Sequence, residues 1–336
     1  MKPFLVGMDS YCLNPLRLSP LEVLDWARAH HCDGVQFSEL FCKEEKKSDP
    51  VFLTELASAA RDRNLFLEWG GGQHIPFDML SWKPKDLMPV NRAAAEQAAA
   101  LGAPIIRSCS GGLMRWNDAA PPTEALLHAM ARELGRMKPM LEDLGVTLAI
   151  ELHFEFTTFE LLRVFDLCNA EPGGCFGICL DTMNMLTLLE DPVCGAARML
   201  PWIAATHIKD GGLCFSDQGL VSFTAEVGRG SIDFTKILRL LSTLESPVTL
   251  CVEDHGGSFD LPVFDPVFLS RFPDLTAAEL SRLFSMAHQG DLSIRKGEMS
   301  PLDRAAWPKL CETRTASGIQ YLRRLVNPEA RSKNEG

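Results

Sequence analysis

What the chain lacks narrows it first. Its 11 cysteines include no C-x-x-C pair, their number is odd, and most, such as Cys109, Cys179 and Cys251, sit inside apolar runs. Cysteines so placed behave as small hydrophobes, whereas a disulfide framework belongs to short secreted chains. No window approaches the ~20 apolar residues of a membrane helix, so no membrane partner is expected. The N-terminus, "MKPFLVGMDSYCL", has one Lys and a short apolar run. A signal peptide needs a longer apolar core and a small-residue cleavage site. A reduced, cytoplasmic protein is therefore expected. A basic stripe is also missing: the densest run, Lys43 to Lys47, contains two glutamates, and the net charge is −11. Contacts to phosphates need clustered Lys and Arg, so nucleic acid is not an expected partner.

What is present is ordinary in bulk and ordered in detail. The 336 residues are 46% hydrophobic and 23% charged, enough for a large core in one large domain or two small ones. Short β-type runs recur at 4–10, 34–40, 65–71, 104–110, 146–153, 176–182, 204–210 and 248–255. Each is near-continuously apolar and then turns polar, as a parallel strand buried on both faces reads. Helical patterns fill the gaps at 19–31, 49–64, 90–102, 122–145, 157–168, 191–203, 233–244 and 303–326. Ser19 and Pro20 suit an N-cap and first turn. Gly102 suits a C-terminal cap, and Pro139 could kink its helix.

Eight strands alternating with eight helices indicate an α/β fold of the (β/α)8 TIM-barrel type. A doubly wound fold would place a glycine fingerprint after its first strand, and that strand here runs into "MDSYCLNP". The spacing predicts a single barrel domain over 1–327, a polar tail at 328–336, a long loop at 211–232, and a lid-like insertion at about 256–300. The insertion carries "SFDLPVFDPVFLSRFPDL" and a helical pattern at 276–290. Long ordered loops of this kind are usually functional.

In a TIM barrel the C-terminal strand ends form the active face. Those ends carry Asp9, Glu39, Glu68, Arg107, Glu151 with His153, Asp181, His207 with Asp210, and Glu253 with His255. Three carboxylates converging in a cavity would repel until one took a proton, and a divalent cation removes the repulsion. Glu151, Asp181, His207 and Glu253 are therefore the expected metal ligands. One imidazole with three carboxylates suits Mn²⁺, Mg²⁺, Co²⁺ or Zn²⁺, and the oxygen majority leans to Mn²⁺ or Mg²⁺. His153 and His255 lie two residues past their ligands, so period 2 sends each to the same side. His153 is expected to contact substrate. His255 is open between substrate and structure. Glu39 and Glu68 read either as site groups or as core carboxylates paired with Arg107. Tyr11 and Trp69 could stack on a sugar or pack in the core. Asn184, three residues past Asp181, reads as a substrate contact or a helix cap.

These residues resemble a family. "LAIELHFEFTTFELL" resembles the strand-five motif of the sugar isomerase/epimerase superfamily of xylose-isomerase-like barrels. "CLDTMNMLTLLEDPVCGAARMLPWIAATHIKD", "VGRGSIDF" and "VEDHGGS" resemble its later segments. That superfamily includes ketose 3-epimerases, inosose dehydratases and, more distantly, endonuclease IV. The resemblance implies that Glu151, Asp181, His207 and Glu253 hold a Mn²⁺-type ion. It also implies that Glu151 and Glu253 act as an acid/base pair around a carbon next to a keto group. Endonuclease IV needs more His and Asp ligands than the eight histidines here offer.

The expected activity is proton abstraction α to a keto group of a sugar or sugar derivative, of isomerase or epimerase type. Arg107, Arg229, Asn184, His255 and Glu68 are expected to contact substrate. The apolar segment after strand eight resembles relatives that cleave 3-oxo-glycosides, including C-glycosides, by elimination. In that case His153 is a candidate base and Arg107 an oxyanion contact. Some such relatives work with a small partner subunit, and a homo-oligomer is equally compatible. A non-catalytic sugar-binding barrel is the remaining alternative.

Overall fold

The computed structural model describes residues 4–38, 40–112 and 114–327. Glu39 and the expected tail at 328–336 lie outside the described residues. Eight parallel strands close a barrel: β1 (Val6–Asp9), β2 (Gly34–Phe37), β3 (Phe66–Gly72), β4 (Ile105–Ser108), β5 (Thr147–Glu151), β6 (Phe176–Asp181), β7 (Ile203–Ile208) and, after two inserted strands, β10 (Leu250–Val252). Their order around the barrel is β1-β10-β7-β6-β5-β4-β3-β2. β1, β2 and β6 are buried along their whole length. Helices cover the outside and barrel side chains fill the inside, which is why these strands are apolar without alternation.

The helices begin and end where their caps dictate. Ser19 accepts the Glu22 amide while Glu22 accepts the Ser19 amide, with Pro20 opening helix Pro20–Ala29. Thr157 and Glu160 repeat the device at helix Thr158–Leu167. Gly102 (φ 69°) and Gly145 (φ 66°) end their helices in the left-handed region, where a Cβ would be strained. Helix Thr123–Leu144 continues past Pro139.

Two expectations are corrected. The expected loop at 211–232 is mostly a hairpin of β8 (Asp210–Ser216) and β9 (Gly219–Ala225), to which β11 (Ser258–Leu261) adds as a third antiparallel strand. One residue, Lys209, separates β7 from β8. The hairpin packs so tightly on helix Ala277–Arg295 that a Cβ on Gly290 would sit 2.0 Å from the Leu213 carbonyl oxygen. The insertion at 256–300 is thus β11, short helix Pro266–Leu269 and that long helix. The final helix starts at Trp307 rather than 303.

The "VGRG" segment has a structural task. The Asp210 carboxylate accepts the amides of Gly211, Gly228, Gly230 and Ile232 at 2.8–3.3 Å, and the Arg229 side chain points to solvent. Buried Arg115 pairs with buried Glu160 and donates to the Arg271 carbonyl, fastening the insertion to the barrel. Arg314 clasps Asp254 through two bonds of 2.8 and 2.7 Å, fixing the last helix. All 11 cysteines are free thiols, and no described helix is long and apolar enough to cross a membrane.

Candidate metal centre

Parallel pairing sets the site. Asp181 ends β6 opposite His207 on β7, and His207 lies opposite Cys251, two residues before Glu253. Glu151 ends β5. Glu151, Asp181, His207 and Glu253 each offer one donor atom, and these four atoms lie within 4.8 Å of one another. All four residues are buried.

In each ligand one atom is held by a neighbour outside the four, and another faces the cluster. Arg107 donates to Glu151 Oε2 at 2.8 Å, leaving Oε1 3.3 Å from His207 Nδ1. Asp181 Oδ1 accepts the amides of Met183 and Asn184 at 2.9 and 2.8 Å, leaving Oδ2. Glu253 Oε2 faces Lys209, leaving Oε1 3.7 Å from His207 Nδ1. His207 Nε2 lies 2.5 Å from Gln36 Oε1, so as the donor it leaves the Nδ1 lone pair for a cation. Buried His207 Nδ1 has no hydrogen-bond partner of good geometry among the described residues. One nitrogen and three carboxylate oxygens around one point suit a hard to borderline divalent ion, so the residues fit the expected group.

Burial disfavours the Glu253 and Glu151 charges, yet their cationic neighbours hold both below the usual carboxylate range: Lys209 and His207 for the first, Arg107 and His207 for the second. Burial, reinforced by Glu253 and Glu151, pushes Asp181 up to about 6 against the pull of Lys209. Burial also disfavours the Lys209 ammonium, but Asp181, Glu253 and Glu151 outweigh it and raise that group.

A cavity of about 840 Å³ opens beside the cluster, with Arg107, His153, Asn184, Lys209 and His255 among its lining residues. His153 Nδ1 lies 2.8 Å from buried Glu155 Oε1, which orients the ring. Burial works against a charged His153, but Glu155 and Cys109 raise it well above the ordinary imidazole range. His255 has the opposite setting. Burial and Lys209 push it down to about 3, and its Nδ1 lies 3.0 Å from Arg304 Nη1. Asn184 is not a side-chain cap. Its Oδ1 is 3.4 Å from Lys209 Nζ, and its buried Nδ2 has no partner among the described residues.

Other expected site residues are elsewhere. Glu68 is buried inside the barrel, accepting Gln36 Nε2 at 2.6 Å and the Thr249 hydroxyl, away from the cavity lining. It fixes Gln36, which in turn fixes His207, and it does not pair with Arg107. Arg229 is also absent from the lining, because Asp210 turns its loop outward. Trp69 is a core residue bonded to Gln97, whereas Tyr11 lines the cavity and stacks on Trp307 at 5.5 Å. Lys209 and Gln36 join the site beyond the residues expected from the sequence. Period 2, applied from His207 as it was from Glu151 and Glu253, points to Lys209.

Known proteins share this frame. An Escherichia coli (strain K12) protein, YihM, described as uncharacterized, is 26% identical over 152 residues, which is 44% of this chain and 44% of that protein. The D-allulose 3-epimerase of Methylomonas sp. superposes with a TM-score of 0.59 at 14% identity, covering 96% of this chain and 98% of that one. The 3-keto-D-glucoside 4-epimerase YcjR of E. coli gives 0.57 at 14% identity, covering 84% and 99%. The barrel closed by eight parallel strands is the fold these proteins share, and a family model matches residues 24–280. By that match the chain belongs to the xylose isomerase-like TIM barrel family.

Proposed function

We propose that this protein is a divalent-metal-dependent enzyme that removes the proton α to a keto group of a sugar or sugar derivative, with isomerisation or epimerisation as the outcome. The observation that carries this reading is the convergence of Glu151, Asp181, His207 and Glu253 on one point beside a cavity that also holds His153. The names of the two neighbours, a ketose epimerase and a 3-keto-glucoside epimerase, support the same substrate class.

A divalent cation at this point supplies stabilisation for the negative charge that develops on a keto oxygen as the neighbouring C–H breaks. The residues of the chain do the rest. Glu151 and Glu253, held low by Arg107 and Lys209, are better ligands than bases. His153 is the proton carrier: Glu155 fixes its Nδ1, and the ring meets Cys109 on the cavity wall. Arg107, its guanidinium on Glu151, and Asn184, its Nδ2 unpartnered, orient substrate oxygens. His255, kept neutral, accepts or relays a hydrogen bond on the cavity wall.

A second reading has its own observation. Phe259 of β11 packs against Phe154 at 4.5 Å, and both line the cavity with Leu302. This apolar wall suits the aglycone of a 3-oxo-glycoside, which the same proton abstraction would expel by elimination. The test is metal analysis of the purified protein, followed by deuterium exchange from D₂O into a panel of ketoses and 3-oxo-glucosides. Metal-dependent wash-in that Glu151→Gln abolishes is the expected result, and release of free aglycone selects elimination. No wash-in with metal present would sink the reading.

A further inference from the structure

We propose that Lys209 is the site's own cation, a built-in competitor that a divalent ion must push aside. The proposal rests on the metal-binding reading above. Its first support is position. Amides occupy Asp181 Oδ1, so Oδ2 is the oxygen left for a metal, and Lys209 Nζ lies 3.0 Å from it. The same ammonium contacts Glu253 Oε2, so it bridges two of the four ligands.

Its second support is charge. Four carboxylates meet here, Glu151, Asp181, Glu253 and, 3.4 Å from His207 Nε2, Asp9, against the two cations Arg107 and Lys209. Lys209 thus offsets part of the negative charge that would draw a divalent ion, and removing it leaves that charge to the ion. An ion entering beside the ammonium would meet a like charge in a buried, poorly screened site.

Its third support is a route out. The Lys209 backbone is pinned, its amide donating to Thr182 Oγ1 at 3.0 Å and its carbonyl accepting that hydroxyl at 2.6 Å, so the side chain is the part that moves. Lys209 lines the cavity, and Asn184 Oδ1 waits 3.4 Å from Nζ on the cavity side. The displaced ammonium would stand among the groups that meet substrate. The protein would stay folded without metal and hold its ion less tightly than four such ligands could.

The experiment compares full-length wild type with Lys209→Met and Lys209→Gln, each stripped with EDTA. Mn²⁺ affinity is read by isothermal titration calorimetry, and thermal midpoints are read in EDTA and in saturating Mn²⁺. Both variants are expected to bind one Mn²⁺ at least tenfold more tightly than wild type. Both should melt lower than wild type in EDTA and recover in Mn²⁺. Should the Met variant unfold when stripped, it is prepared with Mn²⁺ and its affinity measured by competition with a chelator of known affinity. Equal or weaker binding in the variants, with wild type binding 1:1, overturns the competitor role and leaves the metal reading intact. Binding by none of the three proteins overturns both.

Discussion

At the residue scale the site divides its labour between fixed ligands and a mobile proton. His153 is oriented by Glu155 at 2.8 Å. His153→Asn should lower deuterium wash-in by about 10²–10⁴-fold, the usual worth of a positioned proton-transfer group. Mn²⁺ affinity should stay within a few-fold, because no ligand is lost. Glu155→Gln should fall less steeply and move the pH–rate profile downward, since the carboxylate that raises His153 is gone. A parallel loss of metal in either variant would place His153 among the ligands instead. A second residue carries a pH signature unrelated to catalysis. His74 is fully buried with Nδ1 2.8 Å from Ser108 Oγ, and burial pushes it down from 6.5 to about 4. The unfolded chain therefore binds a proton that the folded one refuses between those values. Stability attributable to His74 is full above pH 6.5 and falls by about 3 kcal/mol as the pH drops to 4. Urea titrations of wild type and His74→Gln from pH 7 to pH 4 should diverge by that amount, and parallel curves would contradict it. The four ligands could be read from the sequence because each ends an apolar run at a matching place. Gln36 and the true partner of Glu68 could not, because the two residues hold His207 from across the barrel, and only closure brings β2 and β3 opposite β7.

At the scale of elements, strands buried on both faces and helices with explicit caps were legible to within a few residues. The hairpin was not. β8 follows β7 after a single residue, and both hairpin strands are largely buried, so neither shows the alternation that marks a half-exposed strand. The covering layer is helix Ala277–Arg295, some 60 residues later in the chain. Gly290 makes that contact possible, its missing Cβ leaving room for the Leu213 carbonyl. Gly290→Ala should therefore destabilise by about 1–3 kcal/mol through overpacking, against its better helix propensity. The same change should raise KM more than it lowers kcat, because Thr224 and Phe259 reach the cavity from the displaced sheet. Denaturant midpoints and steady-state kinetics check both halves. A neutral or stabilising effect would mean that the helix rides on the hairpin without close packing.

At the scale of the molecule, the charge balance acts on what reaches the site. The net charge of −11 surrounds a cavity whose own lining includes the cations Arg107, Lys209 and Arg304. The two fields have different reach. Close to the cluster the local cations offset the carboxylates, while further out the net negative field guides a diffusing ion only as far as the Debye length lets it reach. That length shrinks from about 30 Å at 0.01 M salt to about 10 Å at 0.1 M. The association rate of Mn²⁺, followed by stopped-flow tryptophan fluorescence, should therefore fall by about tenfold across this range. Dissociation should change far less, because buried charges are poorly screened. Uptake of a neutral sugar should be insensitive to salt. If the Mn²⁺ association rate instead stayed level, entry would be limited by the step at Lys209 rather than by encounter. The Lys209→Met variant would then regain the salt dependence that wild type lacked, so the same pair of proteins separates steering by the whole molecule from gating by one side chain.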